Sequence, residues 1–195
     1  ESAEGEIYRF SHLQIRTTIY DNMGKSRKRV LNKQIGEAIE EKYQDTLEEH
    51  YYSLSRHFFE GKVYDKAYEY SKDAGERALQ GFAIETALEY YDRAVESLKN
   101  ASNIEESEEK QIKLLNKIGD MSYDINQWDE GVEAYESLLE VGKKKDDEKI
   151  KADALRGLGH INKERQMFQE SEDNYNEALE IYEELDDNKG IADCE

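Results

Sequence analysis

The chain has 195 residues with a net charge of −19, a single cysteine and no run of about 18 apolar residues, which excludes an internal disulfide and a membrane span. The acidic charge lies in residues 44–195, where 39 Asp and Glu outnumber 19 Lys and Arg, and such a surface repels the phosphate backbone of nucleic acids. We therefore expect a cytoplasmic protein whose partner is a protein or peptide of basic or apolar character.

Residues 1–45 are predicted to form a helical N-terminal segment that differs from the rest of the chain. An extended stretch at 6–10 is expected to precede a helix carrying Leu13, Ile15, Ile19 and Tyr20. A second helix, about 26–42, has an apolar side with Val30, Leu31, Ile35, Ala38 and Ile39 and a basic side with Arg27, Lys28, Arg29 and Lys33. A solvated helix face is the preferred interpretation of this basic side, and nucleic-acid contact through residues 25–33 is the less favoured one.

The remaining chain predicts long helices joined by short polar turns. A chain of this length usually holds about ten prolines, and this one holds none. One apolar signature occurs twice at a spacing of 20, as Ala67, Ser71 and Ala74 and again as Ala87, Tyr91 and Ala94. The helix of about 64–80 is therefore expected to pack against both of its neighbours.

A longer repeat follows, because residues 118–140 align with residues 158–180 at an offset of 40. Each copy predicts two amphipathic helices separated by a polar turn, as at Asn126 and Gln127. Such a helix pair cannot bury its apolar faces alone, so the units must stack. The aligned pairs are Gly119 with Gly159, Trp128 with Phe168, Tyr135 with Tyr175 and Leu139 with Leu179.

These residues resemble the tetratricopeptide repeat family in its 40-residue variety. The resemblance implies an all-α, right-handed superhelical array of antiparallel helix pairs over 46–195, acting as a non-catalytic scaffold for proteins or peptides. Gly131 and Ser171 depart from the family, which prefers alanine there. The matching residues are Ile118, Gly119, Trp128, Tyr135 and Leu138, then Leu158, Gly159, Phe168, Tyr175 and Ala178, with weaker matches at Leu54, Phe58, Ala67, Ala74, Ala87, Tyr91 and Ala94.

The N-terminal segment followed by the repeats also resembles a known order of domains. The stretch from YRFSHLQIRTTIY to SRHFFEGKVYDKAYEYSKDAGERAL looks like the junction between a winged-helix tail and the repeats of large signal-transduction ATPase regulators. This resemblance implies the sensor or interaction region of a larger signalling or transcriptional regulator. It also leaves open the alternative of a small-ligand-sensing superhelix that controls an attached ATPase. A phosphate-binding GxxxxGK[ST] loop is missing from the sequence.

No catalytic or metal-binding signature is found. His50 and His57 lie two helical turns apart without an HExxH motif, and a calcium loop centred on Gly190 would need Leu185 and Lys189 as ligands. We therefore expect no enzymatic activity, no cofactor and no metal.

The first helices of the repeats carry the candidate partner-binding residues of the concave groove. Asn116 and Arg156 match isolated elements of the family's carboxylate-binding set, but Asp120, Asp153 and Gly157 break it. A solvated inner wall without a ligand remains the alternative, and Tyr175 is assigned to the core. The candidates are Tyr52, Arg56, Asn116, Asp120, Tyr123, Arg156, His160 and Lys163.

The final residues continue the 40-residue register, since Ala192 and Asp193 correspond to Ala152 and Asp153. We expect a further first helix to begin there and the last repeat to be truncated, with Cys194 as a helical residue and not a nucleophile. A homodimer through residues 168–195, where an apolar face lacks a polar cap, is a further expectation.

Overall fold

The computed structural model describes residues 13–194, and side chains from residue 17 onward. Helices account for the regular structure of this part of the chain, and none of these helices is long and apolar enough to cross a membrane. The expected extended stretch at 6–10 lies outside the described residues, as do the side chains of Leu13 and Ile15. The elements are α1 (Leu13–Asp21), α2 (Lys25–Lys42), a 3₁₀ helix η1 (Gln44–His50), α3 (Tyr51–Glu60), α4 (Tyr64–Gln80), α5 (Ile84–Asn100), α6 (Ser107–Asp124), α7 (Trp128–Lys145), α8 (Glu148–Glu164), α9 (Phe168–Glu184) and α10 (Asn188–Cys194).

Tight turns join most of the helices from α3 to α10, and they share one geometry. In each, a residue with φ between 53° and 62° follows the helix end. The next N–H donates to the carbonyl five residues back, as from Val63 to Phe58 at 2.9 Å, which satisfies a terminal helix carbonyl. These turns recur every 20 residues on either side of the longer α5–α6 loop, so the smallest structural unit is one helix and its turn. The left-handed residues are Lys62, Phe82, Asn126, Asp146, Gln166 and Asp186.

Successive helices pack in antiparallel pairs and the pairs stack, which gives an all-α solenoid. Within a pair, a large side chain of the second helix lies against a small residue 16 positions earlier. The rings of Tyr91 and Tyr135 cover Gly75 and Gly119, and the corresponding pair on α3 and α4 is a hydrogen bond of 2.8 Å between Ser55 and Ser71. Helix α4 uses Ser71 toward α3 and Gly75 toward α5, so the prediction that it partners both neighbours is confirmed.

Stacking also places alternate helices side by side. Helix α6 contacts α8, and α8 contacts α10, in addition to the contacts each makes with its own partner helix. The largest buried cluster extends from α4 to α8 and includes Tyr91, Ile118, Leu138 and Ile161. Helices α6, α8 and α10 therefore share one face of the solenoid, supported from beneath by α7 and α9.

Helix α2 packs differently from the expectation. Val30 is 55% exposed, and the buried residues of α2 are Asn32 and Gly36. Gly36 is required because a methyl group there would lie 2.9 Å from the ring of Phe58 on α3. The Asn32 amide donates to the Tyr20 hydroxyl at 2.8 Å, and its carbonyl oxygen lies 2.8 Å from His57 Nδ1. Helix α2 is thus held against α3 by the polar contact of Asn32 and by the Phe58 ring packed on Gly36. The apolar side predicted from the sequence is wrong at Val30 and Ala38, which are both exposed.

Candidate functional site

The shared face of α6, α8 and α10 contains six of the eight candidate residues. Asn116, Asp120 and Tyr123 lie on α6, and Arg156, His160 and Lys163 lie on α8. Within each helix the candidates are three or four residues apart, which places their side chains on one side of the helix. Asn116 donates to the Ile112 carbonyl of its own helix at 3.1 Å, so its amide is engaged locally.

An aromatic cluster joins α6 to α8 and α9. The ring of Tyr123 lies 6.0 Å from that of His160, and His160 lies 5.4 Å from Tyr175 in an edge-on arrangement. The Tyr175 hydroxyl and His160 Nδ1 are 2.7 Å apart. Burial and the neighbouring Arg156 lower the pKa of His160, so the imidazole is neutral at pH 7. We call Tyr123, His160 and Tyr175 the aromatic cluster.

Two carboxylates organise the polar groups beside this cluster. The Tyr135 hydroxyl donates to Asp120 at 2.6 Å, and Arg156 Nη1 donates to Asp193 of α10 at 2.7 Å. The ring of Tyr135 lies over Gly157, where an added methyl group would stand 2.4 Å away. Burial and the hydrogen bond to Asp120 raise the pKa of Tyr135, which therefore stays a neutral donor. Since Arg156 already binds a carboxylate of its own chain, its arrangement does not support a carboxylate-binding role.

The other two candidates lie on a different part of the solenoid. Tyr52 and Arg56 belong to α3, which contacts α2, η1, α4 and α5. The Tyr52 ring lies 5.0 Å from the ring of Tyr90 on α5, and Arg56 Nη2 lies 3.2 Å from His57 Nε2. The eight candidates thus form two groups, one on α3 and one on α6 and α8.

Tyr175 lies on α9, and its ring reaches His160 on the face of α6 and α8, although the sequence interpretation assigned it to the core. Its counterpart Tyr135 is 5% exposed because it packs against glycines on both α6 and α8. Among the described residues, Tyr175 packs against one glycine, Gly159, and it remains partly exposed. The pKa of its hydroxyl is raised to about 12, chiefly by burial and then by Tyr123. Nothing in the sequence marks this difference, because Tyr175 occupies the position of Tyr135 in the 40-residue register.

Among the described residues, no three or more His, Cys, Asp or Glu side chains are grouped so that they could hold a metal ion. Cys194 is partly buried, and burial raises the pKa of its thiol, so the thiolate that a nucleophile needs is disfavoured.

Comparison with known proteins agrees with this geometry. The model of the tetratricopeptide repeat family matches residues 110–184, which extend from α6 to the end of α9. These residues are tetratricopeptide repeats. Tetratricopeptide repeats are scaffolds that bind proteins or peptides and are generally non-catalytic. No curated protein matches the chain.

Proposed function

We propose that this protein binds a polypeptide segment without catalysis on the face of α6, α8 and α10, and that the aromatic cluster is the centre of the contact. The observation that carries the proposal is the cluster itself, in which two tyrosines and a neutral histidine bridge neighbouring repeats while remaining partly exposed. Rings with polar edges are enriched in protein interfaces because they bury apolar area and still offer a hydrogen bond.

Charges around the cluster favour a partner with lysine or arginine. Partial burial, followed by Glu164 and then Asp124, raises the pKa of the Tyr123 hydroxyl, so two carboxylates lie near this ring. Asp120 adds a third carboxylate on the same face, and Arg156 is neutralised by Asp193. A basic segment that places an apolar or aromatic side chain against the rings would match both features.

The wider role we propose is the sensor or interaction region of a larger signalling or transcriptional regulator. The support is the order of parts, in which a helical segment with a basic side precedes a repeat array. Self-association through residues 168–195 stays a prediction, and its support is the exposure of Phe168 at 66% and Leu185 at 44%.

A selection of displayed peptides against the full chain tests the proposed contact. We expect the selected peptides to combine basic residues with an aromatic or large aliphatic residue. Their affinity should fall at least tenfold, which corresponds to about 1.4 kcal/mol, in the double variant Tyr123→Ala with His160→Ala. The matched control is Tyr52→Ala with Arg56→Ala, which removes the α3 group and should leave affinity within about twofold.

Circular dichroism melting of each double variant establishes that the solenoid is folded before affinities are compared. Equal affinity of the wild type and the Tyr123/His160 variant would contradict peptide binding at this face. An equal loss in the α3 control would instead show a contact that extends along the whole solenoid.

A further inference from the structure

A basic pocket lies where α2 meets the α3–α4 turn and the loop after α5, away from the aromatic cluster. It has a volume of about 320 Å³, and Arg29, Lys33 and Lys62 reach it from two separate elements. Three cations meet here in a chain whose net charge is −19. Lys62 lies far along the chain from Arg29 and Lys33, and the three meet here only because α2 packs against α3.

The cationic groups of the pocket are largely unneutralised. Arg29 Nε donates to the Gly61 carbonyl at 3.4 Å, which holds the side chain at the turn, and its terminal nitrogens have no partner within residues 17–194. Lys62, in the left-handed position of the turn, has no ion pair within the same range. Lys33 lies 3.7 Å from Glu37 in a half-exposed pair, a type of contact that contributes little.

Neutral donors complete the lining. Ser102 and Asn103 lie in the loop after α5, and Tyr64 begins α4. Asp65 supplies the carboxylate of the pocket and belongs to the first turn of α4, where the N-terminal end of a helix favours a negative charge. The pocket thus combines three positive charges with one negative charge.

We propose that this pocket binds the phosphoryl group of a phosphate monoester, a function separate from polypeptide binding at the aromatic cluster. A phosphate monoester presents about two negative charges and three acceptor oxygens at pH 7, and the planar guanidinium of arginine matches that geometry. The volume is at the lower end of the range for small-molecule sites, so the pocket suits one phosphorylated group. The group would come from a phosphorylated metabolite or from a phosphorylated side chain of a protein.

A continuous nucleic-acid backbone fits the basic side of α2 less well. The Lys28 ammonium lies 4.9 Å over the Tyr20 ring and 3.3 Å from the Asp21 carbonyl, so it is turned away from Arg29. Arg27 borders a different hollow, beside Thr18 and Asn22. Arg27 and Lys28 therefore lie apart from the pocket of Arg29 and Lys33, and these four side chains do not form one stripe.

Isothermal titration calorimetry of the full chain tests the proposal with three probes: inorganic phosphate, glucose 6-phosphate and a phosphoserine peptide with its unphosphorylated form. We expect saturable binding at one site for at least one phosphorylated probe and none for the unphosphorylated peptide. Arg29→Ala and Lys62→Ala should each weaken that binding at least tenfold. Arg27→Ala, which removes the same charge two residues away, should change it less than twofold.

The probes separate the two sources, since tighter binding of the phosphoserine peptide indicates a protein and tighter binding of glucose 6-phosphate indicates a metabolite. Absence of saturable binding by all three phosphorylated probes would overturn the proposal. An equal loss of binding in Arg27→Ala would also overturn it. Tighter binding of a single-stranded oligonucleotide, titrated in the same way, would do so too, because either result would mean general electrostatic attraction to α2. The Tyr123→Ala/His160→Ala variant should bind the phosphorylated probes normally, which keeps this outcome independent of the groove proposal.

Discussion

Single residues in the turns adopt a backbone conformation that glycine usually supplies. Asn126, Asp146 and Asp186 belong to the residue types that tolerate positive φ, because their short polar side chains bond locally. Phe82 does not, and with φ at 59° its side chain is also 92% exposed. The turn geometry thus requires a left-handed backbone at this position whatever the residue type. At Phe82 the conformational strain is not offset by burial of the ring.

Replacing Phe82 by glycine should therefore stabilise the protein. The left-handed strain of about 1–2 kcal/mol is relieved, and the extra freedom of glycine in the unfolded chain offsets about 0.5–1 kcal/mol of it. We expect the free energy of unfolding in urea to rise by about 0.5–1 kcal/mol. Asn126→Gly is the control and should change it by less, because asparagine already tolerates this conformation. A loss of stability in Phe82→Gly would show that the exposed ring makes a stabilising contact.

At corresponding contacts between helices, the glycine and the larger residue change places from one repeat to the next. Where α7 meets α8, Gly142 faces Ile150, and a methyl group added to the glycine would lie 3.2 Å from the isoleucine. Where α9 meets α10, the sizes are reversed, since buried Tyr182 covers Gly190. The two pairs correspond in the 40-residue register, since Tyr182 follows Gly142 by 40 residues and Gly190 follows Ile150 by 40. A glycine thus allows the close approach in both repeats, although it stands on α7 in one and on α10 in the other.

The junction of α3 and α4 replaces the tyrosine–glycine pair by a buried hydrogen bond, which can be tested. Ser55 and Ser71 are both fully buried, and Arg93 Nη1 donates to Ser55 Oγ at 3.1 Å. Ser55→Ala should lower the free energy of unfolding by about 1–3 kcal/mol, because it leaves a buried hydroxyl without its partner. Ser53→Ala on the same helix is the control, with a change within about 0.5 kcal/mol.

A double-mutant cycle isolates the pair. Ser55→Ala with Ser71→Ala should cost less than the two single changes combined, with a coupling free energy of about 1 kcal/mol. Strict additivity in urea unfolding would mean that the two hydroxyls are satisfied independently.

At the scale of the whole molecule, the net charge of −19 opposes folding most strongly where carboxylates converge. One such place is the hollow between α5 and α7, lined by Asp92, Glu130 and Glu133. Desolvation there, followed by the charges of Glu133 and Glu130, raises the pKa of Asp92 to about 6. Because this pKa is above the ordinary value of 3.8, the carboxyl favours the folded state when protonated. That contribution is present below pH 3.8 and is lost as the pH rises through about 6.

Asp92→Asn should consequently raise the melting temperature at pH 7.5, and the gain should shrink as the pH is lowered toward 4. Glu89→Gln, an exposed change of the same charge one turn earlier on α5, is the control for the general reduction in net charge. Melting curves at several pH values, followed by circular dichroism, provide the measurement. A gain that is the same at every pH would contradict the assigned environment of Asp92.

Local periodicity was enough to predict the helical class, the repeat family of residues 110–184 and the limits of α2 and α4. The predicted helix at 64–80 coincides with α4, and the helix predicted at about 26–42 is Lys25–Lys42. Glycines at 119 and 159 could also be recognised as packing residues, since the 40-residue register repeats them.

How distant side chains combine follows from the packing of the helices in three dimensions. Three features depend on residues from different parts of the chain. They are the ion pair of Arg156 with Asp193, the pocket of Arg29 and Lys62, and the incomplete covering of Tyr175 by its neighbours. None of them follows from helical periodicity, which tells which side of a helix is buried but not which neighbour covers it. Tyr52 and Arg56 are separated from the other candidates because α4 and α5 lie between α3 and α6 in the stack of helices.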